Sequence, residues 1–423
     1  MRTKLFLLFL VSALLLAACG ANSDDNQSKD DSNTITAWAW DPKFNIAALE
    51  LAEKAYDGEE EVNLKVIENA QDDIVSKLNT GLASGTLKGM PNIVLLEDYR
   101  AQSFLQAYPD VFYEMSDYLN ADDFAGYKIA PTSLDGKMYG LPFDTGVTGL
   151  YVRTDILEEA GFTVEDFTDI TWDEYIEMGK VVKEKTGKHM ITLDPGDLGT
   201  IRVMIQTAGK WYLEEDGQTP ALADNQALEE AFRVYKTLIT EKVAGIHSDW
   251  SQLLAGFNSG DVVSVVQGSW VTPSVKAEES QEGLWAVVPV PRLDIPGSVN
   301  ASNLGGSSFY VLNMDGKEKA AEFLSNTFGS NADFYQDLIE EVGAVGTYMP
   351  AADGEAYKKE DAFFQGQKIY ADFTEWMGQI PPVNYGVHTY AMEDILVVEM
   401  QNYLNGQELD EVLQNAQKQA ESQ

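Results

Sequence analysis

Apolar and polar positions alternate with a period of two from Ile35 to Trp40 and again from Val62 to Ile67, which predicts two strands. Between them Phe44, Ala47, Ala48, Leu51 and Ala55 recur at helical spacing. A second helix is expected from Ile74 to Leu82. Ile93-Val94-Leu95-Leu96 is a short unbroken apolar run, the pattern of a parallel strand buried on both faces. The resulting β-α-β-α-β order predicts an α/β lobe on a parallel sheet.

The pattern then recurs without repetition of sequence. Val147–Val152, Val262–Val266, Trp285–Val290 and Phe309–Leu312 read as strands. Thr171-Trp172-Asp173-Glu174 has capping-box spacing ahead of a helix that carries Tyr175, Ile176, Gly179 and Val182 on one face. Leu228–Ile239, Lys317–Phe328, Tyr390–Leu404 and the segment from Leu409 onward complete the expected helices. No Pro/Ser-rich linker divides the chain, so its lobes should be joined by short strand-like crossings.

The first residues do not belong to this pattern. Arg2 and Lys4 precede the apolar run Leu5–Leu16, too short to cross a bilayer comfortably. It ends in Leu16-Ala17-Ala18-Cys19-Gly20, which resembles the cleavage motif of bacterial lipoproteins, with the Cys as lipid acceptor. Cys19 is the sole cysteine of the 423 residues, so no internal disulfide or Cys-based zinc site exists. Residues 1–18 are thus expected to be a lipoprotein signal peptide. Residues 19–33, rich in Asp, Asn and Ser, are expected to be a flexible tether, because they bury nothing to offset their ordering entropy. No later apolar run is long enough to span a membrane. The expected location is the extracellular face of a bacterial cell membrane, reached through the lipid.

Charge narrows the partners. Asp+Glu number 68 against 29 Lys+Arg, a net −39. Nucleic acid needs clustered cations and is excluded as a partner. The length predicts two or three lobes. Phosphate-cradling and dinucleotide Gly motifs, a GxSxG elbow, HExxH and an EF-hand loop are all missing from the sequence. No metal or cofactor is called for. Asp194-Pro195-Gly196-Asp197 reads as a solvated turn, and His189, His247 and His388 as surface or packing residues.

What remains is aromatic and carboxylate chemistry at strand ends and loops. Trp38, Trp40 and Asp41 stand where the first strand ends, Glu97 and Asp98 where the third does, and ligands of open α/β sheets bind beyond such ends. Glu97 and Asp98 are adjacent, so one of them should face the cleft, and Asp98 is preferred. Asp144 follows Tyr139–Phe143. Trp250, Trp270 and Trp376 fall in loop-like contexts. Core packing competes for Trp38 and Trp40, and capping of the next helix competes for Asp41. Trp172 and Trp285 read as structural. Aromatic faces with carboxylates suit a neutral sugar, through ring stacking and charge-assisted bonds to hydroxyls. They also suit a polyamine.

The chain resembles the extracellular solute-binding proteins of carbohydrate ABC importers, the family of maltose- and arabino-oligosaccharide-binding proteins. The resemblance rests on TITAWAWD (34–41), PNIVLLED (91–98), YGLPFDTGVTGLYVRTDILEEAGF (139–162), TWDEYIEMGK (171–180), FNSGDVVSVVQGSW (257–270), VVPVPR (287–292) and NLGGSSFYVLN (303–313), in that order behind the lipoprotein motif. It implies a two-lobed, periplasmic-binding-protein-like (type II) α/β fold with a ligand cleft between lobes. The lobes would comprise 34–145 with 306–345 and 146–305 with 346–423. Crossings would lie near Thr145–Gly149, Asn303–Ser308 and Ala344–Met349. Matching motif positions put Trp40, Asp41, Asp98, Asp144, Thr145, Trp270 and Gly306 at the ligand. Trp250, Trp376, Asn384 and Tyr385 follow from the C-terminal part, which varies with ligand in the family. The implied protein is a monomeric receptor, not an enzyme, that closes on a sugar, an oligosaccharide by its cleft aromatics, and delivers it to the permease subunits of an ABC transporter. Two other readings stay open: an exported glycoside hydrolase using a pair from Asp41, Asp98 and Asp144, and a polyamine receptor.

Overall fold

Two sheets organise the chain. The first has five strands in the order Asn63–Glu68, Thr34–Ala39, Ile93–Glu97, Ser307–Val311, Gly140–Pro142. Its first three are parallel, as the helical crossovers Asn45–Ala55 and Gln71–Ala83 require. Ser307–Val311 runs antiparallel between two neighbours. The second sheet has three strands, with Thr148–Arg153 between Ser264–Gly268 and Trp285–Pro289, all antiparallel. A short parallel pair, Ile191–Leu193 with Ala244–Ile246, stands beside it. The computed structural model describes residues 33–422, so the signal peptide, Cys19 and all but the last residue of the tether lie outside the described residues.

Strand parity divides the core as the unbroken apolar runs require. Ile93, Leu95, Phe309 and Val311 face one hydrophobic cluster, whereas Val94, Leu96, Tyr310 and Leu312 face another. In the second sheet Tyr151, Val265 and Val287 join the cluster of Ile93 and Leu95, while Leu150, Val152 and Val288 face a third. One face of each sheet therefore shares a single core.

Local signals explain the helix ends. Thr171 Oγ1 accepts from Glu174 N at 3.2 Å, and Glu174 Oε2 accepts from Thr171 N at 2.8 Å, so the capping box opens Trp172–Thr186. Gly187, at φ +74°, closes it. Asn225 caps Gln226–Thr240, whose buried Leu228, Ala231, Phe232, Tyr235 and Leu238 form one stripe. Trp172 and Trp285 are wholly buried.

The chain changes sheet between Pro142 and Thr148, and again between Pro289 and Ser307. Isolated bridges join Val147 to Asn303 and Asp144 to Gly346, so three passing segments run side by side. Residues 349–358, grouped with the second lobe by the sequence, pack in short turns against Ala332–Asp337 of the first-sheet side. Ala362–Phe364 is the next segment to reach the second sheet, at Trp285–Pro289. No helix among the described residues is long and apolar enough to cross a membrane.

Candidate functional site

A cavity of about 500 Å³ opens between the two sheets. Glu97, at the carboxyl end of its strand, comes from the first sheet, and Gln267 from the second. Three helix starts complete the wall: Gly199–Thr207, Trp250–Asn258 and Thr389–Leu404.

On one side stand two tryptophans, with ring centroids 5.7 Å apart and planes at 43°. Trp270 sits in the turn Ser269–Val271, and its indole N–H donates to the Leu304 carbonyl at 2.8 Å. Trp250 opens a helix capped by Asp249, which accepts from Gln252 N at 2.9 Å. Trp250 is 44 % exposed, a large apolar face open to solvent at the rim.

The rest of the wall is acidic. Glu97, Asp194, Asp197, Asp249, Glu393 and Asp394 all border the cavity. Arg202 lies among them, bonded to Glu393 and, at 3.2 Å, to Asp197, with its guanidinium 5.3 Å from the Tyr99 ring. The Tyr390 hydroxyl donates to Glu97 Oε2 at 2.5 Å, and Arg100 lies 4.1 Å from the Tyr390 ring. Burial pushes the Glu97 carboxyl up, against the pull of the Tyr390 hydroxyl and the two arginines. Burial likewise raises Glu393, with Arg202 opposing, and lowers His247 below the ordinary imidazole value.

Four wall side chains are incomplete, Arg202 at its Nε among them. Thr192 Oγ1, His247 Nδ1 and Gln267 Oε1 are buried with no hydrogen-bond partner in the protein. Each such group costs roughly 1–3 kcal/mol until something pairs with it.

The sequence-derived candidates divide. Trp250 and Trp270 line this cavity, although Trp250 stands on a helix and not in a loop. Asp98, preferred over Glu97, opens the helix Asp98–Ala107 and is wholly buried, with Lys128 on Oδ2 and Ser308 on Oδ1, while Glu97 takes the wall. Asp144 accepts from Ser307 N and Oγ. Thr145 pairs with the Tyr127 hydroxyl at 2.6 Å. Gly306, at φ +87°, sits so close to Asp98 and the Asp144 carbonyl that a Cβ would lie 3.3 Å from each. These four form a buried junction beside the cavity and do not line it.

Trp40 is half-buried against the core, and exposed Asp41 turns its carboxylate to Lys43 N at 2.8 Å. The Asp41 carbonyl, and not its side chain, receives Ile46 N of the next helix. Trp376 is buried on the helix Ile369–Met377 and borders a separate hollow with Val287 and Pro289. Asn384 borders another hollow beside Trp211. Tyr385 is buried, its ring 4.6 Å from that of Tyr99 and its hydroxyl held by Asn303 and Gln206.

Sequence reasoning missed Arg202, Tyr390, Glu393 and Gln267, and set aside His247 and the Asp194–Asp197 turn. The last two carried a usable signal. Each follows one strand of the parallel pair, at its carboxyl end.

The model of the bacterial extracellular solute-binding proteins matches residues 47–365. The chain belongs to this family. As a solute-binding protein it works outside the cytoplasm as a receptor for ABC import, not as an enzyme. A lactose-binding protein of Rhizobium radiobacter is 43 % identical over 391 residues, 92 % of each chain. An arabinooligosaccharide-binding protein of Bacillus subtilis is 24 % identical over 336 residues, 76 % of this chain and 75 % of its own. Among solved structures, the sugar-binding protein MalE of Xanthomonas citri superposes with a TM-score of 0.76 at 18 % identity, covering 92 % of this chain and 96 % of its own. An ABC-transporter-associated binding protein of B. animalis subsp. lactis, in complex with β-1,6-galactobiose, gives 0.70 at 22 % identity, covering 91 % and 96 %. The solute-binding protein thus has the two-lobed type II α/β fold.

Proposed function

We propose that this receptor binds a neutral oligosaccharide, with lactose the first candidate, in the cavity of Trp250 and Trp270. The observation that carries the reading is the meeting of a tryptophan pair, Trp250 exposed and Trp270 half-buried, with an acceptor-rich acidic wall in a cavity of about 500 Å³. That volume lies within the usual range for small-ligand sites. A sugar's CH face stacks on the indoles, and its hydroxyls donate to carboxylates. Thr192, His247 and Gln267 gain partners that the protein alone does not give them. The similarity to a lactose-binding protein over nearly the whole chain supports the choice of sugar.

Because the wall draws on both sheets, a bound sugar favours the arrangement in which they approach each other. The lobes would move about the three adjacent passages near Asp144–Val147, Asn303 and Gly346. The closed monomer then docks on the permease subunits of its transporter. Lipid on Cys19 holds it at the extracellular face of the membrane, with the residues up to Asn33 as tether.

Calorimetry of the purified protein with lactose and arabino-oligosaccharides tests the reading. One site per chain and no product on prolonged incubation are expected. Release of monosaccharides would instead establish a hydrolase.

A further inference from the structure

The cavity's charge is lopsided in a way that sugar binding alone does not need. Six carboxylates border it. Among the described residues, two wall groups can carry positive charge, Arg202 and His247. Arg202 is 6 % exposed, and its terminal nitrogens are bonded to Glu393 and Asp197. Its Nε is sealed from water. The charge of Arg202 is therefore already matched by two carboxylates, although its Nε–H is left without a partner. Burial holds the His247 imidazole below its ordinary value, against the pull of Asp194, Asp197 and Asp249. Arg100 lies behind Glu97, between it, Asp72 and the Tyr390 ring.

We infer that the acidic wall is a charge filter: the receptor takes neutral and amine-bearing sugars and rejects uronates and other acidic sugars. This rests on the cavity being the sugar site. A ligand carboxylate would face Glu97, Asp194, Asp249 and Asp394 with no unmatched cation to meet it. Leaving a charge unpaired among like charges at short range is costly, and water-weakened repulsion from several carboxylates adds up to about tenfold or more in affinity. An ammonium on the sugar meets the same groups as acceptors and gains.

The test is calorimetry of the full protein with three disaccharides: lactose, its counterpart oxidised to a uronic acid at one C6, and its 2-amino counterpart. Each is run at about 0.01 M and about 1 M salt, which separates screened from unscreened charge. The filter predicts that the acid binds at least tenfold more weakly than lactose at low salt, and that the amine binds at least as tightly. Both differences shrink at high salt. They shrink also in an Asp249→Asn/Asp394→Asn variant, whose first substitution keeps the helix cap because an asparagine side chain caps as well as an aspartate. Two results would overturn the filter and leave the sugar reading standing: equal affinity for acid and lactose at low salt, or a deficit that neither salt nor the variant relieves. Binding of the amine without binding of lactose would end the neutral-sugar reading and overturn the filter as stated, which admits neutral sugars. No binding of any of the three would end both.

Discussion

Two acid-rich regions lie side by side in this molecule and serve opposite ends. At the junction of the passages, Asp98 and Asp144 surround a wholly buried Lys128, whose ammonium donates to Asp98 Oδ2, the Asp144 carbonyl and the Ser307 carbonyl. The fold answers both Asp98 oxygens and one of Asp144: the Ser308 hydroxyl donates to Asp98 Oδ1, and Ser307 N and Oγ donate to Asp144 Oδ1. In the adjacent cavity the acids outnumber their cations, and four polar side chains hold unanswered atoms. A satisfied cluster holds a structure together, whereas an unsatisfied one beside exposed aromatics awaits a ligand.

The largest effect is expected from the loss of Lys128, on which the junction rests. Lys128→Met strands Asp98 as a buried carboxylate, which burial already pushes up and which the ammonium chiefly pulls back. Equilibrium unfolding should show a loss of about 3–5 kcal/mol. A loss under about 1 kcal/mol would mean that the junction is not the structural half of the pair. Trp250→Ala makes the opposite cut. Its exposed ring should cost stability no more than about 0.5 kcal/mol. Sugar affinity should fall about tenfold by titration, the size of one lost aromatic contact.

Trp270→Phe is a finer probe, because it keeps a ring and removes the bond to Leu304. It should cost about 0.5–1.5 kcal/mol, read as a lower melting temperature. An unchanged melting curve would show that this tie between cavity and passage carries no weight. The smallest effect concerns pH. The native state raises the Glu97 carboxyl above its unfolded value, so folding takes up a proton between the two values. The favourable contribution is complete below the unfolded value, about 4.3, and is lost as pH rises through the raised one. Glu97→Gln, which can still accept from Tyr390, should flatten the stability profile over that window. An unaltered profile would place the titration elsewhere.

The same contrast explains what the sequence alone made legible. Unbroken runs such as Ile93–Leu96 and the stripe of Leu228, Phe232 and Tyr235 announce their elements, because burial on fixed faces leaves a period in the chain. The capping box at Thr171 is equally local. The second sheet's antiparallel order was less legible, since each of its strands is an apolar run consistent with either direction. At the site, motif position led to Asp98, Asp144, Thr145 and Gly306, which prove to be the junction. A strand end tells that a residue lies near the ligand edge, not which of two neighbours turns inward. Glu97 remains at the strand's end, but Asp98 already begins a helix and turns toward Lys128. Arg202, Glu393 and Tyr390 were invisible for another reason. Arg202 and Glu393 lie on helices distant in sequence, and Tyr390 finds its partner Glu97 only when the chain folds.

We propose that the tryptophan pair and the acidic wall form one sugar site, distinct from the junction beneath. Titration of the purified protein with lactose, alongside Trp250→Ala, tests it most directly. One sugar should bind per chain, unhydrolysed, with affinity about tenfold weaker in the variant and the fold intact. Hydrolysis of the sugar, or binding that Trp250→Ala leaves untouched, would contradict it.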